Sequence, residues 1–189
     1  LVRHRADAVM IGTRTALTDD PSLDARRSDG SRFTKQPLRV VMGRREIPES
    51  YRIRGLAAEG PYDPDRFLQV FTHDPSELLS TLYDRGVRHL MIEGGPGMVG
   101  LFAGEDLVDE MIWYRAPLLL GHGKSAVYRL STGTLANAPR LHLDDVRVLG
   151  ADTATHLVPV PRGDYQNPGA RRVLERCTEC YAPEPREDG

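Results

Sequence analysis

Two short segments of this 189-residue chain combine residue types that can bind a phosphorylated ligand. In the first segment, Gly12 to Leu23, three threonines and two aspartates directly follow an apolar run, and Arg26 comes shortly afterwards. Hydroxyls and carboxylates can bind a sugar, and a guanidinium offers phosphate a planar fork of donors. Taken alone, the same residues are more typical of a capped turn beside a solvated arginine.

The second segment, Glu93 to Gly100, is rich in glycine and lies where a predicted strand runs into a predicted helix. Glycines let the backbone approach a ligand, and the free N–H groups of a helix N-terminus suit the pyrophosphate of a dinucleotide. A tight strand-to-helix turn would explain the glycines equally well, and their order is not that of a Rossmann fingerprint. Glu93 could bind hydroxyls or a ring amine of a substrate, or it could be a solvated charge.

Short apolar runs predict the strands that would position these two segments. Asp74 and Pro75 predict the start of a helix that Gly86 ends, and a second short helix is expected around residues 98–102. The order of elements indicates an α/β fold with a mostly parallel central sheet flanked by helices and a C-terminal antiparallel hairpin. The predicted strands cover residues 6–11, 38–42, 67–72, 87–93 and 111–120, and the hairpin covers 141–148 and 153–160.

Composition narrows the kinds of partner that the chain could have. Hydrophobic residues make up 40% and charged residues 28%, with a formal net charge of −2, so neither nucleic acid nor a membrane is expected as a partner. Cys177 and Cys180 lack the second ligand pair of a structural zinc site, so no metal is expected. Two cysteines are also too few for a disulfide-stapled secreted domain, so the cytoplasm is the expected compartment. Residues 1–161 are predicted to form one domain, followed by a charged tail, 162–189, that is disordered or weakly helical.

Together the two segments resemble the reductase domain of the bifunctional riboflavin-biosynthesis deaminase-reductases, a family similar to dihydrofolate reductase in fold. The resemblance lies in ADAVMIGTRTALTDDPSLDAR at residues 6–26, MIEGGPGMVGLF at 91–102 and LVDEMIWYRAPLLLGHG at 107–123. It spans roughly residues 3 to 160, and the order and separation of the motifs match those of the family. It implies NADPH-dependent reduction of 5-amino-6-(5-phosphoribosylamino)uracil to the ribitylamino compound.

The resemblance also implies roles for individual residues. Thr15 and Asp19 would contact NADPH, with Asp19 steering the nicotinamide or relaying a proton, and Glu93 would act at the substrate. Leu23 would bind the substrate, and Arg3 and Arg26 would clamp its phosphate. The cofactor's phosphates would be held by the loop that comprises Gly95, Pro96, Gly97, Met98, Val99, Gly100 and Leu101.

The chain departs from the family pattern in ways that leave alternatives open. After its second strand the family usually has Asp-Ser, whereas this chain has Gly43 and Arg44, and Arg44 could instead hold the cofactor's 2′-phosphate. The family's first strand and its zinc deaminase half are not found in this sequence, so a truncated chain with weak activity or none is expected. Two alternative functions remain open: a same-fold reductase of another pterin- or pyrimidine-like substrate, or a catalytically silent binding protein. A homodimer through residues 111–120 also remains open.

Overall fold

The protein, described here by a computed structural model for residues 2–55, 64–128, 130 and 132–160, divides into two units. The first unit comprises Leu1–Val108 and Leu118–Gly133, and the second comprises Asp109–Pro117 and Thr134–Gly189. The predicted tail, with Cys177 and Cys180, lies outside the described residues. In the described part of the chain, no helix has the length and apolar character needed to cross a membrane.

A four-stranded parallel sheet forms the centre of the first unit, as the apolar runs predicted. The strands are β1 (Ala8–Gly12), β2 (Leu38–Met42), β3 (Phe67–Val70) and β4 (Leu90–Ile92). Their order is β3-β2-β1-β4, and β1 pairs with both β2 and β4.

Both faces of this sheet are covered, which explains why β1 reads as a continuous apolar run rather than an alternating one. Val9 and Ile11 point into a first core cluster, whereas Ala8 and Met10 point into a second, and all four side chains are buried. Burial of each larger apolar side chain contributes about 1.5–3 kcal/mol, so the two clusters fix the register of β1 between its neighbours.

Two of the three α-helices in the described residues match the sequence expectation. The helix α2 (Pro75–Asp84) begins at Asp74, whose carboxylate accepts hydrogen bonds from the N–H groups of Ser76 and Glu77 at 2.8 and 3.4 Å. The helix α3 (Pro96–Gly104) begins two residues earlier than predicted and follows Gly95.

The helix α1 (Thr13–Asp19) occupies a segment whose residues, taken alone, predicted only a capped turn. Its seven residues are too few to be stable alone, and no side chain caps its N-terminus. The helix forms because Thr13 and Ala16 are buried against the parallel sheet, and it ends at Asp20, whose φ of 39° is left-handed.

The second unit is a three-stranded antiparallel sheet, in which the predicted hairpin is confirmed. It contains β5 (Met111–Arg115), β6 (Leu141–Leu149) and β7 (Asp152–Pro159) in the order β5-β7-β6. The strand β5 was expected to reach Leu120, but it ends at Arg115, before Pro117, whose missing N–H cannot extend the ladder.

Candidate functional site

The parallel sheet has one topological switch point, between β1 and β4. From β1 the chain passes to β2 and β3 on one side, and then crosses to β4 on the other side of β1. In open α/β sheets, ligands bind beyond the carboxyl ends of the strands that flank such a point. The two segments singled out in the sequence follow β1 and β4, so both begin at this position.

The N-termini of α1 and α3 lie at this edge of the sheet. Each helix follows an extended glycine, Gly12 or Gly95, and in neither case does a side chain cap the first turn. This contrasts with α2, which Asp74 caps. The Thr15 hydroxyl lies 3.8 Å from the position that a Cβ on Gly95 would occupy. The threonine-containing and glycine-rich segments therefore lie beside each other at this edge of the sheet.

Glycines 94 and 97 of the glycine-rich segment differ in what surrounds them. A Cβ on Gly94 would lie 2.4 Å from the Cβ of Met98, so the protein's own packing excludes a side chain there. A Cβ on Gly97 would meet nothing within 4 Å. Packing therefore explains Gly94 but not Gly97, and the backbone at Gly97 is open for a ligand to approach.

Gly100 was expected at the cofactor's phosphates, but its lack of a side chain has a structural reason. A Cβ on Gly100 would lie 1.9 Å from the carbonyl oxygen of Tyr128, and the Tyr128 N–H donates to the Pro96 carbonyl at 2.9 Å. Val99 is partly buried, and Leu101 packs against the second core cluster. The C-terminal half of the predicted phosphate loop thus packs against other parts of the first unit.

Replacing Gly100 with alanine is expected to destabilise the protein by about 1–3 kcal/mol, because the added methyl group would force the Tyr128 backbone away from α3. Gly104→Ala is the matched control on the same helix, since its Cβ would meet only Leu130 at an ordinary 3.7 Å. Urea unfolding of both variants measures the difference. Equal free energies of unfolding for the two variants would show that the Tyr128 backbone moves to accommodate the methyl group without loss of stability.

Arg3 and Glu93 form the best-defined polar contact at the site, although 90 residues separate them in the chain. Nε and Nη2 of Arg3 donate to the two carboxylate oxygens of Glu93 at 2.5 and 2.6 Å. Both side chains remain partly exposed, at 34% and 26%. Hydrogen bonding to the Glu93 carboxylate raises the pKa of Arg3 above its ordinary value, despite the opposing effect of burial. The pair presents a fixed carboxylate and a fixed guanidinium just beyond β4.

Arg26 lies near Arg3 through a shared neighbour, Asp24. Nη1 of Arg3 donates to the Asp24 carbonyl at 3.0 Å, and Nη2 of Arg26 lies 3.2 Å from the Asp24 carboxylate. Arg32 pairs with the same carboxylate at 2.8 Å. Sequence reasoning missed Asp24, because its contacts with Arg3, 21 residues away, and with Arg32 arise only from the fold.

The remaining predicted site residues differ in their accessibility. The Leu23 side chain is only 2% exposed and belongs to the first core cluster, so it could meet a substrate only through its backbone. Asp19 is exposed and lies one turn beyond Thr15 on the same side of α1. Arg44 is exposed just after β2 and has no partner among the residues that the structure describes.

The parallel sheet with its flanking helices and the antiparallel sheet define a dihydrofolate-reductase-like α/β domain. Residues 1–155 match the RibD C-terminal domain. The chain belongs to the RibD C-terminal domain family.

Similarity to individual proteins supports this membership. The riboflavin biosynthesis protein RibD of Mycobacterium tuberculosis is 39% identical over 156 residues, which cover 82% of this chain and 43% of that protein. The 2,5-diamino-6-ribosylamino-4(3H)-pyrimidinone 5′-phosphate reductase of Archaeoglobus fulgidus is 33% identical over 146 residues, covering 64% of this chain and 66% of the relative.

A solved structure of Acinetobacter baumannii RibD superposes with a TM-score of 0.71 at 30% identity, over 84% of this chain and 48% of that one. The chain thus spans about half the length, or less, of the RibD proteins that it matches.

Proposed function

We propose that this domain uses NADPH to reduce 5-amino-6-(5-phosphoribosylamino)uracil to the ribitylamino compound in riboflavin biosynthesis, in the cytoplasm. The observation that carries the proposal is that Thr15 lies beside Gly95 at the β1–β4 switch point, with the Arg3–Glu93 pair beyond β4. Ligands of α/β sheets bind at such a point, where a dinucleotide and a charged sugar phosphate would have adjacent places.

The residues present fit a nicotinamide dinucleotide. The open backbone at Gly97 lies in the first turn of α3 and could face the pyrophosphate, with Gly95, Pro96 and Met98 beside it. Thr15 and Asp19 line the same side of α1, and Arg44 stands exposed after β2 as the group for the 2′-phosphate. When bound, NADPH supplies a hydride.

The chain's own residues bind and orient the substrate. The phosphoribosylamine opens to an imine, and reduction adds a hydride to the sugar carbon and a proton to the nitrogen. Arg3 and Arg26 hold the phosphate, while Glu93 orients the substrate by accepting hydrogen bonds from hydroxyls or a ring amine. We assign Asp19 to position the nicotinamide end or to deliver the proton. No protein nucleophile is required, because the imine carbon is already electrophilic.

The test is a reductase assay with purified protein, in which NADPH absorbance is followed after addition of the phosphoribosylaminouracil. Loss of absorbance that requires the pyrimidine supports the proposal. NADPH binding without oxidation would instead favour a catalytically silent binding protein. The name of the Archaeoglobus relative motivates a second candidate substrate, the 2,5-diamino-pyrimidinone phosphate, and oxidation with that compound alone would favour it.

Arg44→Ser is expected to raise KM for NADPH by about 10- to 100-fold and to leave KM for NADH unchanged, because it removes a charge-assisted contact to the 2′-phosphate. Arg45→Ser is the matched control, since Arg45 is the next residue and is also exposed. Steady-state kinetics with NADPH and with NADH measure the preference for one cofactor over the other. Equal effects of the two substitutions would mean that only net charge matters.

Arg26→Ala is expected to raise KM for the pyrimidine phosphate by about 10- to 100-fold, since the substrate loses one charge-assisted contact. Arg85→Ala is the control, because Arg85 is also exposed but lies at the end of α2, outside the segment that carries Arg26. An unchanged KM in Arg26→Ala would remove Arg26 from the phosphate clamp.

We further propose that the domain forms a homodimer through its antiparallel sheet. Apolar and aromatic side chains on β5 and β6 are exposed, including Tyr114 at 57% and Val148 at 75%. Exposed apolar patches of this kind are typical of protein interfaces. Analytical ultracentrifugation would detect the dimer, and a monomer at micromolar concentration would contradict it.

A further inference from the structure

Two glutamine side chains each hold the backbone of a loop that carries a proposed ligand-binding arginine. We propose that Gln69 and Gln36 are positioning residues, Gln69 for the cofactor loop (residues 43–47) and Gln36 for the substrate loop (residues 25–33). The inference rests on the proposed function, since it concerns how Arg44 and Arg26 are held in place.

Gln69 extends from β3 to the backbone of the cofactor loop. Its Nε2 donates to the carbonyls of Gly43 and Arg45 at 3.1 and 2.6 Å, and its Oε1 accepts from the Ile47 N–H at 3.1 Å. One side chain therefore fixes alternate residues of the loop, and Arg44 lies between the first two of them.

The cofactor loop is also fixed from the side of the parallel sheet. The Gly43 N–H donates to the Val70 carbonyl at 3.0 Å, and a Cβ on Gly43 would lie 2.8 Å from the Thr13 hydroxyl. Gly43 has a φ of +132°, which a residue with a side chain rarely adopts. Although Arg44 is exposed, the backbone beneath it therefore has little freedom.

Gln36 acts on the substrate loop with the same chemistry. Its Oε1 accepts from the Ala25 N–H at 2.8 Å, and its Nε2 donates to the carbonyls of Ala25 and Phe33 at 3.0 and 2.6 Å. The amide pairs with Ala25 as a neighbouring strand would, and it joins the two ends of the loop. Arg26 directly follows the residue that is held at both backbone groups.

The physical benefit of such a contact is preorganisation. Exposed loops are ordinarily mobile, and ordering an arginine at the moment of binding costs free energy. Each glutamine makes three of the four hydrogen bonds open to its amide, all to loop backbone. Methionine has a similar length and volume but can make none of these bonds, so it removes the contact with little change in packing.

The experiment compares Gln69→Met and Gln36→Met in the full chain, so each variant serves as the control for the other. For Gln69→Met we expect Kd for NADP⁺ to rise about tenfold with Kd for NAD⁺ unchanged, since a misplacement of about 1 Å can cost up to about 100-fold. For Gln36→Met we expect KM for the pyrimidine phosphate to rise by a similar factor, with NADP⁺ binding unchanged.

A double variant separates positioning from general damage. In an Arg44→Ser background, Gln69→Met should leave the NADP⁺ to NAD⁺ affinity ratio unchanged, because the arginine through which it acts is gone. If Gln69→Met does not fold, as judged by thermal melting, Gln69→Asn keeps the amide on a shorter arm, and the same change in ratio is expected.

The possible failures are distinguishable. The wild-type protein could bind NADP⁺ while Gln69→Met or Gln69→Asn leaves the NADP⁺ to NAD⁺ affinity ratio unchanged. That result would overturn the role of Gln69 and nothing else. An unchanged pyrimidine KM in Gln36→Met would overturn the role of Gln36. A wild-type protein that neither binds NADP⁺ nor oxidises NADPH would overturn the proposed function, and both positioning roles with it.

Discussion

Glu93→Gln is expected to lower kcat/KM for the pyrimidine phosphate by about 100-fold, because it removes the charge from a two-point contact that orients both the substrate and Arg3. The amide has nearly the shape of the carboxylate, but it can accept only through one oxygen and turns an NH₂ group towards the guanidinium. Steady-state kinetics at saturating NADPH measure the loss, and KM for NADPH should not change.

Asp145→Asn is the matched control for this substitution. It neutralises another carboxylate that accepts from an arginine, since Arg147 Nε lies 2.8 Å from Asp145, but this pair lies on the exposed antiparallel sheet. Surface pairs contribute little to stability, and Asp145 is not assigned to the cofactor or the substrate, so kcat/KM should stay close to that of the wild type. A Glu93→Gln enzyme with full activity would remove Glu93 from the site.

Gly97→Ala is expected to weaken NADPH binding by about 10- to 100-fold without any loss of folding stability, because a methyl group would hold the pyrophosphate away from the start of α3. The protein itself leaves the space open, since a Cβ at this position meets nothing within 4 Å. Alanine is also the better helix former by up to about 1 kcal/mol, so the free energy of unfolding should stay the same or rise.

The control for Gly97→Ala is Gly123→Ala, where a Cβ likewise meets nothing within 4 Å. Fluorescence titration measures the affinity for NADPH, and urea unfolding measures the free energy of unfolding. If Gly97→Ala bound NADPH as tightly as the wild type, the dinucleotide would not approach α3 at this residue.

Local chemistry is what made parts of the fold predictable. Asp74 and Gly86 mark the ends of α2 by capping and by left-handed backbone, and both effects act within a few residues. The apolar runs identified the parallel strands because those strands are buried on both faces. Gly150, with a φ of +65°, marks the hairpin turn in the same local way.

The helix α1 could not be predicted from its own residues. Its threonines and aspartates favour turns in isolation, and its helical state depends on burying Thr13 and Ala16. The end of β5 was missed for a related reason, because the apolar residues Leu118 to Leu120 look like a strand but remain 71–102% exposed.

The candidate site was predictable only as two segments, and its polar contacts were not. The sequence indicates Arg3 and Glu93 separately, but their pairing depends on β4 lying beside β1. Asp24, Gln36 and Gln69 have no distinguishing local pattern, and their roles arise from loops that fold back onto them.

The charge around Asp24 bears on how quickly a substrate is captured. Three guanidiniums, from Arg3, Arg26 and Arg32, lie beside the carboxylates of Asp24 and Glu93, which leaves a single positive charge in the cluster. One net positive charge attracts a distant anion only weakly, so there is little long-range attraction for salt to screen. Capture of the sugar phosphate should therefore proceed at nearly the same rate in dilute buffer and at high ionic strength.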